Sequence, residues 1–143
     1  MSDQQLMTES EIQAFGVEIV CRQLIEDGWM IASADGLADK LTQPQIIAQK
    51  SDEYAFFIVR TDVYPKRGRF DEGQEVFETL VLHARQHGAS CYFASVGIAN
   101  SDGKTEEEMS VPVKGVAYNV EFNGLVKMEL APENLASATG QTN

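Results

Sequence analysis

The chain has 143 residues, of which 43% are hydrophobic and 23% charged, the composition of an ordinary soluble globular protein with one hydrophobic core. Its net charge of −11 repels polyanions, so nucleic acid and anionic membrane surfaces are disfavoured partners. The two cysteines, Cys21 and Cys91, cannot hold a four-thiolate iron–sulfur cluster, and no cofactor is predicted.

A first helix is predicted over residues 8–28. Thr8 and Glu11 have the spacing of a capping box, and Gly28 supplies a C-terminal stop. The helix carries one broad apolar face, made of Val17, Val20, Cys21, Leu24 and Ile25. A second apolar stripe, on another side, consists of Ile12, Phe15 and Ile19. A helix that is apolar on two sides needs a second cover, so the stripe predicts either a further layer or a homodimer.

Strands are predicted next over residues 29–33, 44–50 and 54–62, the last two joined by the polar turn SDE. After the loop VYPKRGRFDEG, a second helix over 72–87 ends at Gly88, and an apolar strand over 89–100 is expected to be covered on both faces. A helical turn is predicted over 105–109.

The last predicted element is a hairpin around Asn123 and Gly124, with arms inside residues 116–130. A three-residue loop with Gly124 in the left-handed conformation keeps the apolar residues on one face and pairs Val120 with Val126. The predicted order is therefore α-β-β-β-α-β-β-β, an α/β (α+β) fold with a mixed central sheet and a parallel crossover after the third strand.

We predict a single domain over residues 1–130 and a flexible C-terminal tail over 131–143, where the sequence is small and polar. The first residues, MSDQQLMTES, lack the basic and apolar segments of a signal peptide, and no apolar run has the length of a membrane span. The predicted location is the cytoplasm.

The stretch PQIIAQKSDEYAFFIVRT (44–61) and the order of elements around it resemble the core of the PD-(D/E)XK, or restriction-endonuclease-like, nuclease superfamily. The resemblance covers roughly residues 10–100 and rests on element order and hairpin shape. It implies that an acid opens the second strand and that an acid-x-lysine motif lies on the third, where together they bind Mg²⁺ and position water.

The positions that match this motif hold other residues. Gln45 stands at the position of the metal-binding aspartate, Ile58 at that of the second acid and Arg60 at that of the lysine. A hard dication needs anionic oxygens, and a guanidinium repels it. The resemblance therefore implies a degenerate site with no catalytic residues and no metal, and a non-catalytic binding function with a protein partner or a second copy of the chain.

Two acids near these positions keep an alternative open. Glu18 is similar to a first-helix acid of some nuclease branches, although it also lies within i, i+4 reach of Arg22. Asp62 shares a strand face with Arg60 and is predicted to pair with it. If such acids replaced the missing ligands, as Asp35, Asp52 or Glu53 also could, the chain would be a metal-dependent nuclease with displaced ligands.

The segment YPKRGR gathers Lys66, Arg67 and Arg69 into the one basic patch of an acidic sequence. Such a loop can contact an anion. The end of the apolar strand, residues 97–101, is where a parallel strand exits a sheet, a common place for a ligand. Together these segments support a further alternative, a binder of a small anionic ligand.

Two other motifs are weaker. His83 and His87 are four residues apart on a predicted helix, a spacing that can present two ligands to one metal, but the sequence has no HExxH motif and no evident third ligand. The GKT at 103–105 lacks the first glycine of a phosphate loop and is followed by EEE, which would repel phosphate.

Through GKTEEEMSVPVKG and CYFASVGIAN, the whole chain also resembles uncharacterised bacterial proteins, some labelled as the F component of a Na⁺-translocating NADH-quinone reductase. That activity would require a flavin domain and a cysteine cluster. This chain is too short to contain the flavin domain and has too few thiols for the cysteine cluster, so the activity is not predicted.

Overall fold

The computed structural model describes residues 5–130, so the tail predicted over 131–143 lies outside the described residues. This part of the chain forms one mixed α+β domain with three helices and a five-stranded sheet. In chain order the elements are α1 (Glu9–Glu26), β1 (Met30–Ala34), β2 (Ile46–Lys50), β3 (Glu53–Val63), α2 (Gln74–Gln86), β4 (Ser90–Asn100), α3 (Glu106–Met109) and β5 (Tyr118–Lys127). The predicted α+β class is confirmed. No helix within residues 5–130 is both long and apolar enough to cross a bilayer.

Helix α1 begins as its sequence predicts. The Thr8 hydroxyl accepts a hydrogen bond from the Glu11 N–H at 3.1 Å, and the Glu11 carboxylate accepts one from the Thr8 N–H at 2.8 Å. The bond from the Thr8 backbone, helped by Lys114, holds the pKa of Glu11 below its ordinary value. At the other end Gly28 has φ +98°, a left-handed conformation that glycine adopts without strain.

The strands are arranged in sequence order, β1-β2-β3-β4-β5. Strands β1, β2 and β3 form an antiparallel meander, and β3 then pairs in parallel with β4 after the crossover through α2. This confirms the predicted parallel step. Strand β5 closes the other edge, antiparallel to β4.

The two long helices cover opposite faces of the sheet. Alternate residues of β3 point to opposite sides, so that Phe57 and Val59 pack in the core under α1 while Phe56 and Ile58 pack in the core under α2. All four side chains are at most 3% exposed. Strand β3 is therefore the centre of both cores.

The second apolar stripe of α1 is covered within the chain. Its residues Ile12, Phe15 and Ile19 pack against the core under this helix, and the Phe15 ring meets the Tyr118 ring edge to face, with centroids 5.6 Å apart. The stripe thus faces a further part of the same sheet, which removes it as an argument for a homodimer. By contrast Ile25, predicted on the buried face, is 59% exposed.

The predicted C-terminal hairpin is wrong. Residues 118–127 form one strand, in which Asn123 and Gly124 together lie opposite Ser95 as a β-bulge, between the pairs Val96–Phe122 and Ala94–Leu125. Gly124 has the left-handed conformation predicted for it, with φ +104°. Because the bulge adds one residue, Phe122 and Leu125 face the same core despite their odd spacing. A hairpin here would have left the first half of β4 without this partner.

Candidate functional site

The candidate site lies where β2 and β3 separate. Strand β2 begins at Ile46, opposite Phe57, whereas β3 continues to Val63, so the last part of β3 has no strand on that side. A cleft of about 290 Å³ opens there between the start of α1, the loop before β2 and the loop before α2. Its lining is mostly polar and carries both signs of charge: Glu9, Ile12, Gln13, Lys40, Arg60, Thr61, Asp62, Gly68, Arg69, Asp71 and Glu72.

Two glutamine side chains take the place of the missing strand. The Gln13 amide donates to the Val59 carbonyl at 2.6 Å and accepts from the Thr61 N–H at 3.1 Å. The Gln45 side-chain oxygen accepts from the Val59 N–H at 2.9 Å. These bonds satisfy buried backbone groups that would otherwise be costly to leave unpaired. Both glutamines are buried, at 5% and 1% exposure.

The Arg60 guanidinium lies between these segments and is fully occupied by the chain itself. Its Nη1 donates to the Gln45 side-chain oxygen at 3.1 Å and to the Val59 carbonyl at 2.9 Å. Its Nη2 donates to the Lys40 carbonyl at 3.2 Å, and Nη2 and Nε both reach Glu72 at 3.1 Å. A guanidinium has five N–H donors, and five acceptor contacts are present. Arg60 therefore ties β3, the loop before β2 and the loop before α2 together rather than offering donors to a ligand.

The three positions matched to the nuclease motif, Gln45, Ile58 and Arg60, all have structural roles. Gln45 touches Arg60, while Ile58 lies two residues earlier on the same strand face and is buried among the apolar residues under α2. The Gln45 Nε2 atom is buried without a hydrogen-bond partner. The three positions thus provide an amide, an alkyl group and a guanidinium whose donors are all hydrogen-bonded, and no anionic oxygen for a hard metal ion.

The two predicted acidic alternatives do not join this group. Glu18 is exposed and pairs with Arg22 at 2.6 Å on α1, which packs on the other face of the sheet. The Asp62 carboxylate lines the cleft and accepts from the Val63 N–H at 2.8 Å. The predicted Asp62–Arg60 pair is therefore wrong, because Glu72 takes the carboxylate position beside Arg60.

The predicted basic patch is divided by its loop. The Gly68 backbone lies against β3 and β4, where its N–H donates to Val96 and its carbonyl accepts from Ser95. Lys66 lines a separate concave surface, Arg67 approaches Glu121 at 3.8 Å, and Arg69 turns into the cleft. Lys66, Arg67 and Arg69 therefore do not point into one common anion site.

Among residues 5–130, no group of three or more histidine, cysteine, aspartate or glutamate side chains is arranged to hold a metal ion. Both cysteines are free thiols. Burial raises the pKa of the Cys91 thiol to about 12, so it stays protonated at neutral pH. A thiol in that state is neither a nucleophile nor a good metal ligand.

Sequence reasoning missed Gln13 and Glu72, two residues that shape the site. Gln13 had a signal: it continues the row of Val17, Val20 and Leu24 on the buried side of α1, where a polar residue needs a partner. Glu72 had none, since it lies in a loop rich in charged residues and meets Arg60 only through the fold.

The comparisons with known proteins add a family but no function. Neither the search of curated proteins nor that of solved structures found a match. One family model matches residues 10–128, nearly all of the described domain, and its description is "Domain of unknown function (DUF8840)". The matched range begins in α1 and ends just beyond β5, so it includes all five strands and every residue that lines the cleft except Glu9. The chain belongs to the DUF8840 family.

Proposed function

We propose that the chain is a non-catalytic binding domain, acting on a protein partner, whose fold is a degenerate form of the PD-(D/E)XK nuclease core. The support for the fold is the order α1-β1-β2-β3-α2-β4, with an antiparallel meander, a parallel crossover and helices on opposite faces. The part of the cleft where β2 and β3 separate corresponds, in this proposal, to the former catalytic centre.

The observation that carries the non-catalytic function is the state of Arg60. Its side chain is 3% exposed and its five N–H donors meet acceptors of this chain. A catalytic cation must be free to contact substrate or the reacting atoms. A hydrogen-bonded and buried guanidinium instead stabilises the loops around it.

The test is a search for metal-dependent cleavage by the wild-type chain. Calorimetry with Mg²⁺ and Mn²⁺ is expected to show no saturable binding that Asp62→Ala removes, and single-stranded, duplex and branched DNA are expected to remain intact. Cleavage that needs the metal and is lost in Asp62→Ala, but kept in the exposed control Glu18→Ala, would instead establish a nuclease with displaced ligands.

A second candidate, the binder of a small anionic ligand, is favoured by one observation. A concave surface of about 290 Å³ joins the loop Tyr64–Lys66 to Gly97, Ile98 and Ala99 at the end of β4, the two regions that this hypothesis connects. Inorganic phosphate is the simplest probe: it should shift the Gly97 amide resonance in wild type and not in Lys66→Ala. An unchanged resonance at high phosphate concentration removes this candidate.

The partner of the domain is proposed to be another protein because large apolar side chains remain exposed on the edge strand β1 and in the loop that follows it. Met30 is 74% exposed and Leu37 is 69% exposed. Exposed apolar surface of this kind is typical of interaction sites. Light scattering at rising concentration distinguishes a homodimer from a monomer; Met30→Glu should shift the equilibrium if a dimer forms through this edge.

A further inference from the structure

A second polar feature lies at the C-terminal end of α2, whereas the cleft lies near the start of this helix. His83 and His87 are the two histidines of the chain, and their ring centroids are 4.8 Å apart. Both rings pack on Phe56, at centroid distances of 5.4 and 5.7 Å. They line a concave cavity of about 320 Å³ between α2 and the loop before β2. The helix thus presents two imidazoles side by side at the mouth of a cavity.

The hydrogen bonding of His87 determines which of its nitrogens is available. Its Nδ1 lies 3.0 Å from the His83 carbonyl oxygen. A carbonyl oxygen can only accept, so Nδ1 must carry the proton, and the neutral ring keeps its lone pair on Nε2. A ring nitrogen that donates to a backbone carbonyl is the arrangement that orients metal-binding histidines in proteins.

The local electrostatics favour a cation at this place. His83 lies in the last turn of α2 and His87 caps its C-terminus, where the unpaired carbonyls give the helix its negative end. The acidic residue Asp35 also lines the cavity, and its Oδ1 accepts a hydrogen bond from the Leu37 N–H. The net charge of −11 attracts cations at long range.

We propose that His83 and His87 together bind one divalent transition-metal ion of the type that prefers imidazole, such as Zn²⁺. A zinc–imidazole bond is about 2.0–2.1 Å long, so two rings at this separation can share an ion after a small rotation. The protein supplies two ligands, and water fills the remaining positions in the cavity. Such an open site binds its ion more weakly than a closed four-ligand site and leaves coordination positions for an additional ligand.

The test uses the untagged chain and Zn²⁺ alone. Proton NMR should resolve two histidine Hε1 resonances, and both should shift together to saturation at one equivalent. In calorimetry His83→Gln and His87→Gln should each lose saturable binding. The matched control is the double variant His87→Gln with Arg85→His, which keeps two histidines but places them on different sides of the helix and should also lose binding. Cys21→Ser should bind as wild type does.

Three results would overturn this site. The absence of saturable Zn²⁺ binding to the folded wild-type chain would do so. Wild-type affinity in either single histidine variant, or in the variant with displaced spacing, would show that the ion binds elsewhere. If His83→Gln does not fold, His87→Gln and the two Hε1 resonances of the wild type still decide the question.

Discussion

Arg60 donates through both Nε and Nη2 to a single oxygen of Glu72, each at 3.1 Å, and the two side chains are 3% and 16% exposed. The pair joins the central strand to the loop that precedes α2, 12 residues further along the chain. In the nuclease-like core proposed above, Arg60 would stand at the position of a lysine beside a metal ion. A buried ion pair would then occupy the place of that lysine and its metal ion.

Removing one member of this pair should be costly. In Glu72→Ala the buried guanidinium keeps its carbonyl and amide acceptors but loses its counter-charge, and breaking a buried pair costs about 3–5 kcal/mol of unfolding free energy. We expect a loss near the lower end of that range, measured by urea unfolding followed by circular dichroism. The control Glu75→Ala, in the exposed first turn of α2, should lose less than about 1 kcal/mol.

A double variant separates the charge from the packing. Arg60→Met with Glu72→Leu replaces both charges by apolar groups, a change that is often neutral for buried pairs. This variant should be more stable than Glu72→Ala. If instead the double variant is the less stable of the two, the hydrogen bonds from Arg60 to Lys40, Gln45 and Val59 matter more than its charge pairing.

Replacing Gln13 should lower the free energy of unfolding more than replacing an exposed residue of the same helix. Gln13→Ala leaves the Thr61 N–H without its partner and removes one of two donors to the Val59 carbonyl, which keeps its bond from Arg60 Nη1. An unsatisfied buried group costs about 1–3 kcal/mol, so we expect a loss of about 1–3 kcal/mol. Hydrogen exchange at the Thr61 amide should also become faster. The matched control is Gln23→Ala on the same helix, whose amide bonds only to exposed Asp27. Equal effects at both positions would contradict the strand-substituting role of Gln13.

For Gly16→Ala we predict the sign of the change in unfolding free energy. In an exposed helix interior this change stabilises by about 0.8–1.0 kcal/mol. Here a Cβ at position 16 would lie 1.7 Å from the Thr61 hydroxyl oxygen, so α1 or β3 must move. We therefore expect destabilisation of about 1–3 kcal/mol, the usual cost of overpacking, in thermal and urea unfolding. A stabilised variant would show that α1 does not approach β3 this closely.

The pKa of Tyr92 is raised from 10.0 to about 12, chiefly because its hydroxyl donates to the Glu53 carboxylate and also because it is partly buried. The folded phenol keeps its proton to higher pH than the unfolded one. Its contribution to stability is therefore fully present below pH 10 and is lost as the pH rises through about 12.

Ultraviolet titration of tyrosinate tests this shift. The difference between wild type and Tyr92→Phe should have its midpoint near pH 12, and Glu53→Gln should move that midpoint down because it removes the negative charge. A Tyr92 midpoint at its ordinary value in the folded wild type would mean that the Glu53 hydrogen bond does not form.

Local patterns in the sequence were sufficient for most of the elements. The capping box at Thr8 and the glycines after both long helices set the helix ends, and runs of apolar residues predicted β3 and β4. These signals depend on contacts between residues a few positions apart. The residue types of Gln45, Ile58 and Arg60 alone predicted that a hard metal would find no anionic ligand at these positions.

Tertiary structure decided what local patterns leave open. The dipeptide Asn123-Gly124 is compatible with both a hairpin turn and a β-bulge. The bulge forms here because β4 needs a partner strand along its whole length. Glu72, rather than Asp62, became the partner of Arg60 because the loop before α2 returns to the cleft. The sequence by itself determined the helices and the strands β1 to β4, since these depend on residues close together in the chain. Only the fold decided the last strand and the pairings, since these depend on segments far apart in the chain.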